Sequence, residues 1–502
     1  MISAIALDLG TTSIKAGLLN GDGTLGNIVS QPAPHITSCD GRYESDALAY
    51  AEIAERVLAA CLAQTDNLPP LGLCSQRSSF LIWERATGNP LTPLISWQDN
   101  RGAASCAALR DAEARIRELT GLRLTQYYFG PKLCVVLQEH PDWRDRLERG
   151  EWLVGTLDTF LIWRWTDGKC HVTDAAMAAR TLLMDIDRQQ WSPELCRLFG
   201  IPLNILPQVL HSAAMNLRLS NGLTLQASMG DQSAALIASV GTSCSDVLVN
   251  LGTGGFVIRY LAEDSISPPP CRGRAREGVE TPHPLNSTPI LAFPLQGGRN
   301  CGSNSNGQSA LDGYLRTLVY QDAHAHIAIE GTLNSLAAAL APYPVADCRI
   351  EELAVEEIFC LAEPSGLGAP YFRNDFGIHF SESVEHLTPH QIAALLLEGI
   401  IFRVARILED FHHAAAIERI YLSGGLSELS CLQQGIALCA PCPVYRLPQK
   451  DSSLQGAALL ACGMPSATRS AAEKMVISVS HHALPGKYLR WKNWLDTLLE
   501  QS

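Results

Sequence analysis

The apolar and polar positions of the opening segment form two short strands joined by a hydroxyl-rich turn. Ala4-Ile5-Ala6-Leu7 runs directly into Asp8, the pattern of a buried strand that ends on an acid. Gly10-Thr11-Thr12-Ser13 crowds the turn with N–H and O–H donors. Lys15 follows, and a second apolar run, 16–19, leads to the turn Asn20-Gly21-Asp22-Gly23. A hairpin tip of this kind can cradle phosphate oxygens while the nearby acid attracts a metal ion. Taken alone it reads equally as an ordinary Gly/Thr hairpin, and it lacks the Walker spacing.

The plan returns at 247–258, where an apolar strand, the turn Gly252-Thr253-Gly254 and a second apolar strand follow one another. A third glycine turn, Ser423-Gly424-Gly425, closes the strand 420–422. Two such hairpins far apart imply a duplicated α/β architecture with a nucleotide between the halves, and the third turn offers a face for the nucleoside. Elsewhere, periodicity predicts helices over 45–63, 103–119, 325–340 and 389–412, and a strand then a helix over 152–165. The apolar runs 71–74 and 94–95 end abruptly in Gln76-Arg77-Ser78 and Trp97-Gln98-Asp99, the walls expected of a hydrophilic small-molecule pocket. Asp231 stands at a helix start, where capping is the common role of an acid. The proline-rich stretch 264–289 reads as a surface excursion, and the chain beyond Gly463 as an irregular outer tail.

A chain of 502 residues is too long for one core, so two domains are expected. The net charge of −13 disfavours nucleic acid or an anionic membrane as partner. An anionic ligand such as ATP then needs local donors, for which Lys15, Arg77 and the turn amides are candidates. The chain enters a strand at once and has no apolar run of membrane length, so a cytoplasmic protein is expected. The 16 cysteines are scattered, and the lone pair Cys439/Cys442 reads as buried thiols rather than a metal or redox site.

Together these residues resemble the FGGY family of carbohydrate kinases, from about residue 4 to residue 463. The first half is similar to glycerol kinases at Gln76-Arg77, Trp97-Gln98, 155–163, 171–174 and Gly230-Asp231-Gln232. The second half adds Gly368-Ala369-Pro370-Tyr371 and Asp451-Ser452-Ser453. The resemblance implies an α/β fold of two actin-like ATPase (ribonuclease H-like) domains closing a central cleft on ATP, Mg2+ and a small polyol or sugar, with the domains over 1–240 and 241–465 and a tail at 466–502. It implies Asp231 as general base, Gln232 as a substrate contact and Asp8 beside the metal. Thr11, Thr12, Ser13 and Lys15 would form the first phosphate loop, Thr253 and Gly254 the second, and Gly424 and Gly425 the adenosine turn. Gln76, Arg77, Ser78, Trp97 and Tyr127 would line the acceptor pocket, and a homodimer is expected.

Two departures bear on substrate. Glycerol kinases place a carboxylate where Ser78 stands, and the stretch 296–306 lacks the usual small-apolar pattern. Glycerol and a pentulose of the xylulose or ribulose type therefore both remain open as acceptors. An actin-like chaperone or filament protein is disfavoured by the polar wall, and a non-catalytic sugar sensor by the retained Asp8, Thr11, Asp231 and Thr253.

Overall fold

The computed structural model describes residues 2–262, 311–447, 451–465, 473–474 and 483–501. The proline-rich stretch 264–289 and the divergent stretch 296–306 lie outside them.

Two mixed sheets share one strand plan. In the first, the hairpin Ile2–Leu9/Ser13–Asn20 continues antiparallel into Leu25–Pro32, while Ile2–Leu9 pairs in parallel with Leu71–Ser75, followed by Thr224–Gly230 and Ala213–Arg218. In the second, Asp246–Leu251/Gly255–Tyr260 continues antiparallel into Ala325–Leu333 and Leu315–Gln321, while Asp246–Leu251 pairs in parallel with Arg419–Ser423 and then Val444–Arg446. Central strands of both sheets are buried on both faces, which is why they read as apolar runs rather than alternations. Helix Ala47–Leu62 covers the first sheet through Tyr50, Ala51, Ala54, Val57 and Leu58. The 26-residue helix Pro389–Ala414, opened by a Thr388/Gln391 capping box, is the spine of the second domain.

The two halves interlock through helices. Helix Ser452–Ala461, late in the chain, packs its Leu454, Ala457 and Ala458 among Ala4, Ala6 and Cys74 of the first sheet and Ala234 of helix Asp231–Val240. The approach is so close that only glycine fits at Gly456, where a Cβ would lie 1.8 Å from the Ala234 carbonyl oxygen.

Three expectations are corrected. The segment 325–340 is not one helix: Ala325–Leu333 is a strand paired on both edges, and only Leu336–Leu340 is helical. β-Branched Ile327, Ile329 and Thr332 suit a strand, and burial on both faces erased the alternation. The predicted helix 103–119 breaks into Ala103–Ala108 and Glu113–Thr120. The tail is not an irregular decoration, because Ala483–Gln501 is a helix that buries Leu484, Tyr488, Trp491 and Leu495 in the second core and an ion pair between Lys487 and Glu398. Cys439 and Cys442 are free thiols.

Candidate active site

Asp8 occupies the end of the first strand, directly opposite Lys15 in the hairpin. Its Oδ2 accepts a 2.7 Å hydrogen bond from Ser453 Oγ, while Oδ1 is buried without a partner. Burial pushes the carboxyl up to about 6, and the like charge of Asp231 adds to that effect. A half-satisfied carboxylate in this state fits a divalent cation, which would complete its coordination and favour its ionised form. Lys15 is placed differently from the expectation: its Nζ pairs with Asp451 Oδ1 at 2.7 Å, so its charge is met by the residue preceding the interlocking helix. Thr12 is exposed at the hairpin tip.

The first strand also sets the acceptor wall. Gln76 N donates to Leu9 O at 3.0 Å, fixing the turn after Leu71–Ser75 beside the hairpin. Gln76 Oε1 accepts from Thr11 Oγ1 at 3.2 Å and Ser79 Oγ at 3.0 Å, and Trp97 Nε1 donates to Thr11 Oγ1 at 3.0 Å. Tyr50 OH donates to Gly10 O at 2.5 Å. Thus Gln76 and Thr11 form a half-buried brace between phosphate hairpin and acceptor wall, and Trp97 presents a half-exposed indole on it.

Arg77 reaches the start of helix Asp231–Val240. Its Nη2 donates to Gln232 Oε1 and its Nε lies 3.8 Å from Asp231 Oδ1. Gly230 permits this, since a Cβ there would fall 2.8 Å from Arg77 Cδ. Asp231 is not a helix cap: it is the first helical residue, its Oδ1 accepts from the Gln232 N–H at 2.8 Å, and its side chain stays 39% exposed. Burial of its surroundings raises the carboxyl above its usual range, and Arg77 opposes the shift. The outcome is a carboxylate facing a polar cleft beside a guanidinium.

Ser78, expected in the acceptor pocket, is buried in the turn after Arg77. It adopts φ +63°, and its Oγ donates to Arg180 O at 2.8 Å. Tyr127 is exposed, whereas its neighbour Tyr128 lies under the Arg180 guanidinium at 5.5 Å. The sequence reading missed Lys132, which is fully buried and donates to Ser78 O at 2.8 Å and Ser96 O at 2.7 Å, bracing both polar turns from below. Its signal was a lysine inside an apolar helix, Phe129–Glu139.

Across the cleft, Gly252 N donates to Gly254 O at 2.8 Å, which leaves Thr253 exposed at the hairpin tip. Gly424 has φ +91° and passes so close to the first strand of this hairpin that a Cβ would meet Leu251 O at 2.3 Å. Next to it, Gly425 faces open space. A turn without side chains gives a flat ligand direct access to backbone. Elsewhere, Cys348, Glu352 and His390 bring ligand atoms within 4.8 Å of one another, but Glu352 Oε2 already accepts from Arg349 N at 2.7 Å and pairs with His390 Nε2 at 3.0 Å.

Known proteins match this chain over both halves. The model of the FGGY carbohydrate kinase N-terminal domain matches residues 3–239, and that of the C-terminal domain matches 247–464. A glycerol kinase of Xanthobacter autotrophicus is 30% identical over 485 residues, covering 91% of this chain and 90% of its own. Among solved structures, Plasmodium falciparum glycerol kinase with ADP superposes with a TM-score of 0.76 at 19% identity, covering 99% of this chain and 98% of that one. A ligand-bound xylulose kinase from Lactobacillus acidophilus gives 0.75 at 16% identity over the same shares. At such identities the two structures speak for the fold, and the glycerol kinase and the domain models for kinship. Sheet plan, paired hairpins and both domain matches converge, and the chain belongs to the FGGY family of carbohydrate kinases.

Proposed function

We propose that this kinase transfers the terminal phosphate of ATP to a hydroxyl of a small polyol or ketose, with Asp231 accepting the hydroxyl proton. The observation that carries the reading is the Asp231 carboxylate, held at a helix start, exposed to the cleft and flanked by Arg77 and Gln232. Phosphoryl transfer asks little covalent chemistry of a protein: an alcohol in line, a base for its proton and donors around the transferring group. A base does this at ~2.6–3.2 Å from the attacking oxygen. Arg77 and Gln232 would orient the acceptor, and Trp97 would cover an apolar face of it. The hairpin tips at Thr11–Ser13 and Thr253–Gly254 would hold phosphates, and the Gly424-Gly425 turn the adenosine. Asp8 would hold Mg2+, which when bound supplies charge neutralisation at the phosphates. Two domains around the cleft keep water from the transferring group.

The acceptor is inferred to be longer than glycerol. A side chain that accepts hydrogen bonds from a small triol is missing at Ser78, whose hydroxyl is used on Arg180 instead. The relative from Xanthobacter autotrophicus named glycerol kinase favours glycerol itself as the second reading. A coupled ADP-release assay over glycerol, pentitols, D-xylulose and D-ribulose decides between them. The expected result is a kcat/KM for at least one ketopentose or pentitol above that for glycerol; preference for glycerol over every larger acceptor overturns it. The protein is further proposed to work as a cytoplasmic homodimer. No helix among the described residues is long and apolar enough to cross a membrane. Light scattering on the purified protein reads the oligomeric state.

A further inference from the structure

We propose that Glu330, in the second domain, is a positioning residue for the acceptor site in the first, acting through Arg180. The inference rests on the reading of Asp231 as the base beside Arg77. Arg180 ends helix Ala175–Ala179 of the first domain, yet its guanidinium crosses to the second. Nη1 donates to Thr317 Oγ1 at 2.9 Å and to Glu330 Oε2 at 3.3 Å, and Thr317 Oγ1 donates to the same Glu330 oxygen at 2.9 Å. Thr317 and Glu330 lie on neighbouring strands of the second sheet, and all three residues are buried. Around them, Ala175, Ala178 and Ala179 pack on Leu318 and Ile327, so this contact forms an apolar floor where the domains meet.

The same arginine carries the acceptor turn. Its carbonyl accepts from Ser78 Oγ, and the residue before Ser78 is Arg77, which faces Asp231 and Gln232. A continuous path therefore runs from Glu330 to Arg180, to the 77–78 turn and to the catalytic helix. The charges alternate along it. Arg77 and Arg180 are close enough that, after burial, Arg180 is the largest influence disfavouring the Arg77 charge, while Glu330 and Asp231 support it. Glu330 thus supplies the second negative charge that two buried guanidinium groups need. Without it, Arg180 and Arg77 compete for Asp231, and a carboxylate bound to two arginines is a poor base.

A purely structural role explains this pair less well. A buried ion pair is expensive to desolvate and is weak evidence for stability. This one is also incompletely bonded, since Arg180 Nε and Glu330 Oε1 are buried without hydrogen-bond partners. Such a cluster suits a charge balance kept for the site rather than for the core.

The test is steady-state kinetics of the full chain with MgATP and either glycerol or D-xylulose, alongside thermal melts. Glu330→Gln is expected to lower kcat about tenfold or more, as for a misaligned reacting group, with the KM for ATP within about two-fold. Removing the competing charge as well, in Glu330→Gln/Arg180→Gln, is expected to recover part of that loss, a rescue that a packing defect would not give. A folded Glu330→Gln with kcat within about two-fold of the parent overturns the proposal, as does a double variant no faster than the single one. Should Glu330→Gln fail to fold, Thr317→Val removes one hydrogen bond and keeps the charge; it is expected to lower kcat several-fold, and an unchanged kcat overturns the proposal. Asp231→Asn is run in parallel: turnover retained there defeats the base assignment, whereas an inactive Asp231→Asn with a normal Glu330→Gln defeats only the present inference.

Discussion

The turn at 76–78 and the turn at 424–425 occupy the same place in two copies of one sheet. Each follows the strand that pairs in parallel with the first strand of a phosphate-type hairpin, with Leu9 opposite Ser75 in one copy and Asn250 opposite Ser423 in the other. In the first domain the turn is filled with Gln76, Arg77 and Ser78, tied to hairpin, helix and floor. In the second it is stripped to Gly424-Gly425, pressed against Leu251 on one side and open on the other. The hairpins diverge in the same sense, with Asp8 at the strand end in one and Asn250 in the other. One backbone plan thus carries two different surfaces: a wall of polar side chains on one side and bare backbone on the other, with a charged acid beside only the first.

The comparison breaks most severely at the base. Asp231→Asn is expected to lower kcat by ~10²–10⁴-fold while calorimetry still detects ATP and acceptor binding. On the opposite turn, Gly424→Ala places a methyl against the Leu251 carbonyl at positive φ, with an expected strain of ~1–3 kcal/mol that appears as a raised KM for ATP and an unchanged KM for acceptor. Gly425→Ala sharpens the contrast: nothing in the fold meets its Cβ, so the melt is expected to be unchanged and any rise in the KM for ATP reports the nucleotide itself.

A milder effect belongs to Lys132 beneath the acceptor turn. Burial pulls its amine down to about 7, so between pH 7 and the unfolded-state pKa near 10 the unfolded chain binds the extra proton. Stability is therefore expected to rise with pH over that window, by at most ~1.4 kcal/mol per pH unit. Urea melts at several pH values read the slope, and Lys132→Met is expected to flatten it. Smallest of all, Ser78→Ala loses one buried hydrogen bond to Arg180 O, ~1 kcal/mol of stability, and because that bond ties the 77–78 turn to Arg180, kcat/KM for the acceptor is expected to fall by only a few-fold.

The parts legible in the sequence were those whose chemistry is local. A Gly-Thr turn after an apolar strand declares itself, which placed both hairpins and the Gly424-Gly425 turn, and the acid at a helix start marked Asp231. What stayed hidden depends on partners far along the chain or on burial that removes periodicity. The pairing of Lys15 with Asp451 could not be read, because the two residues are 436 positions apart. The bond from Ser78 to Arg180 could not be read, because the left-handed backbone at Ser78 leaves no trace in residue type. Glu330 sat unread inside a supposed helix, since a strand covered on both faces has no alternation. The closing helix was missed too, because its stripe Leu484, Tyr488, Trp491 and Leu495 is held by the second core, far away along the chain.

The interlocking helix Ser452–Ala461 has a consequence for how the molecule is made. Asp8 and the serine that holds it are 445 residues apart, so the ribosome releases the first strand long before its cover exists. The nascent first domain must wait with one face of its sheet bare, exposed to chaperones and to other unfinished chains. A gene fragment that stops before residue 450 would for the same reason yield an uncovered sheet rather than half a kinase. Supplying the missing helix in trans, as a peptide spanning 445–465, offers a way to switch such a fragment from aggregating to folded.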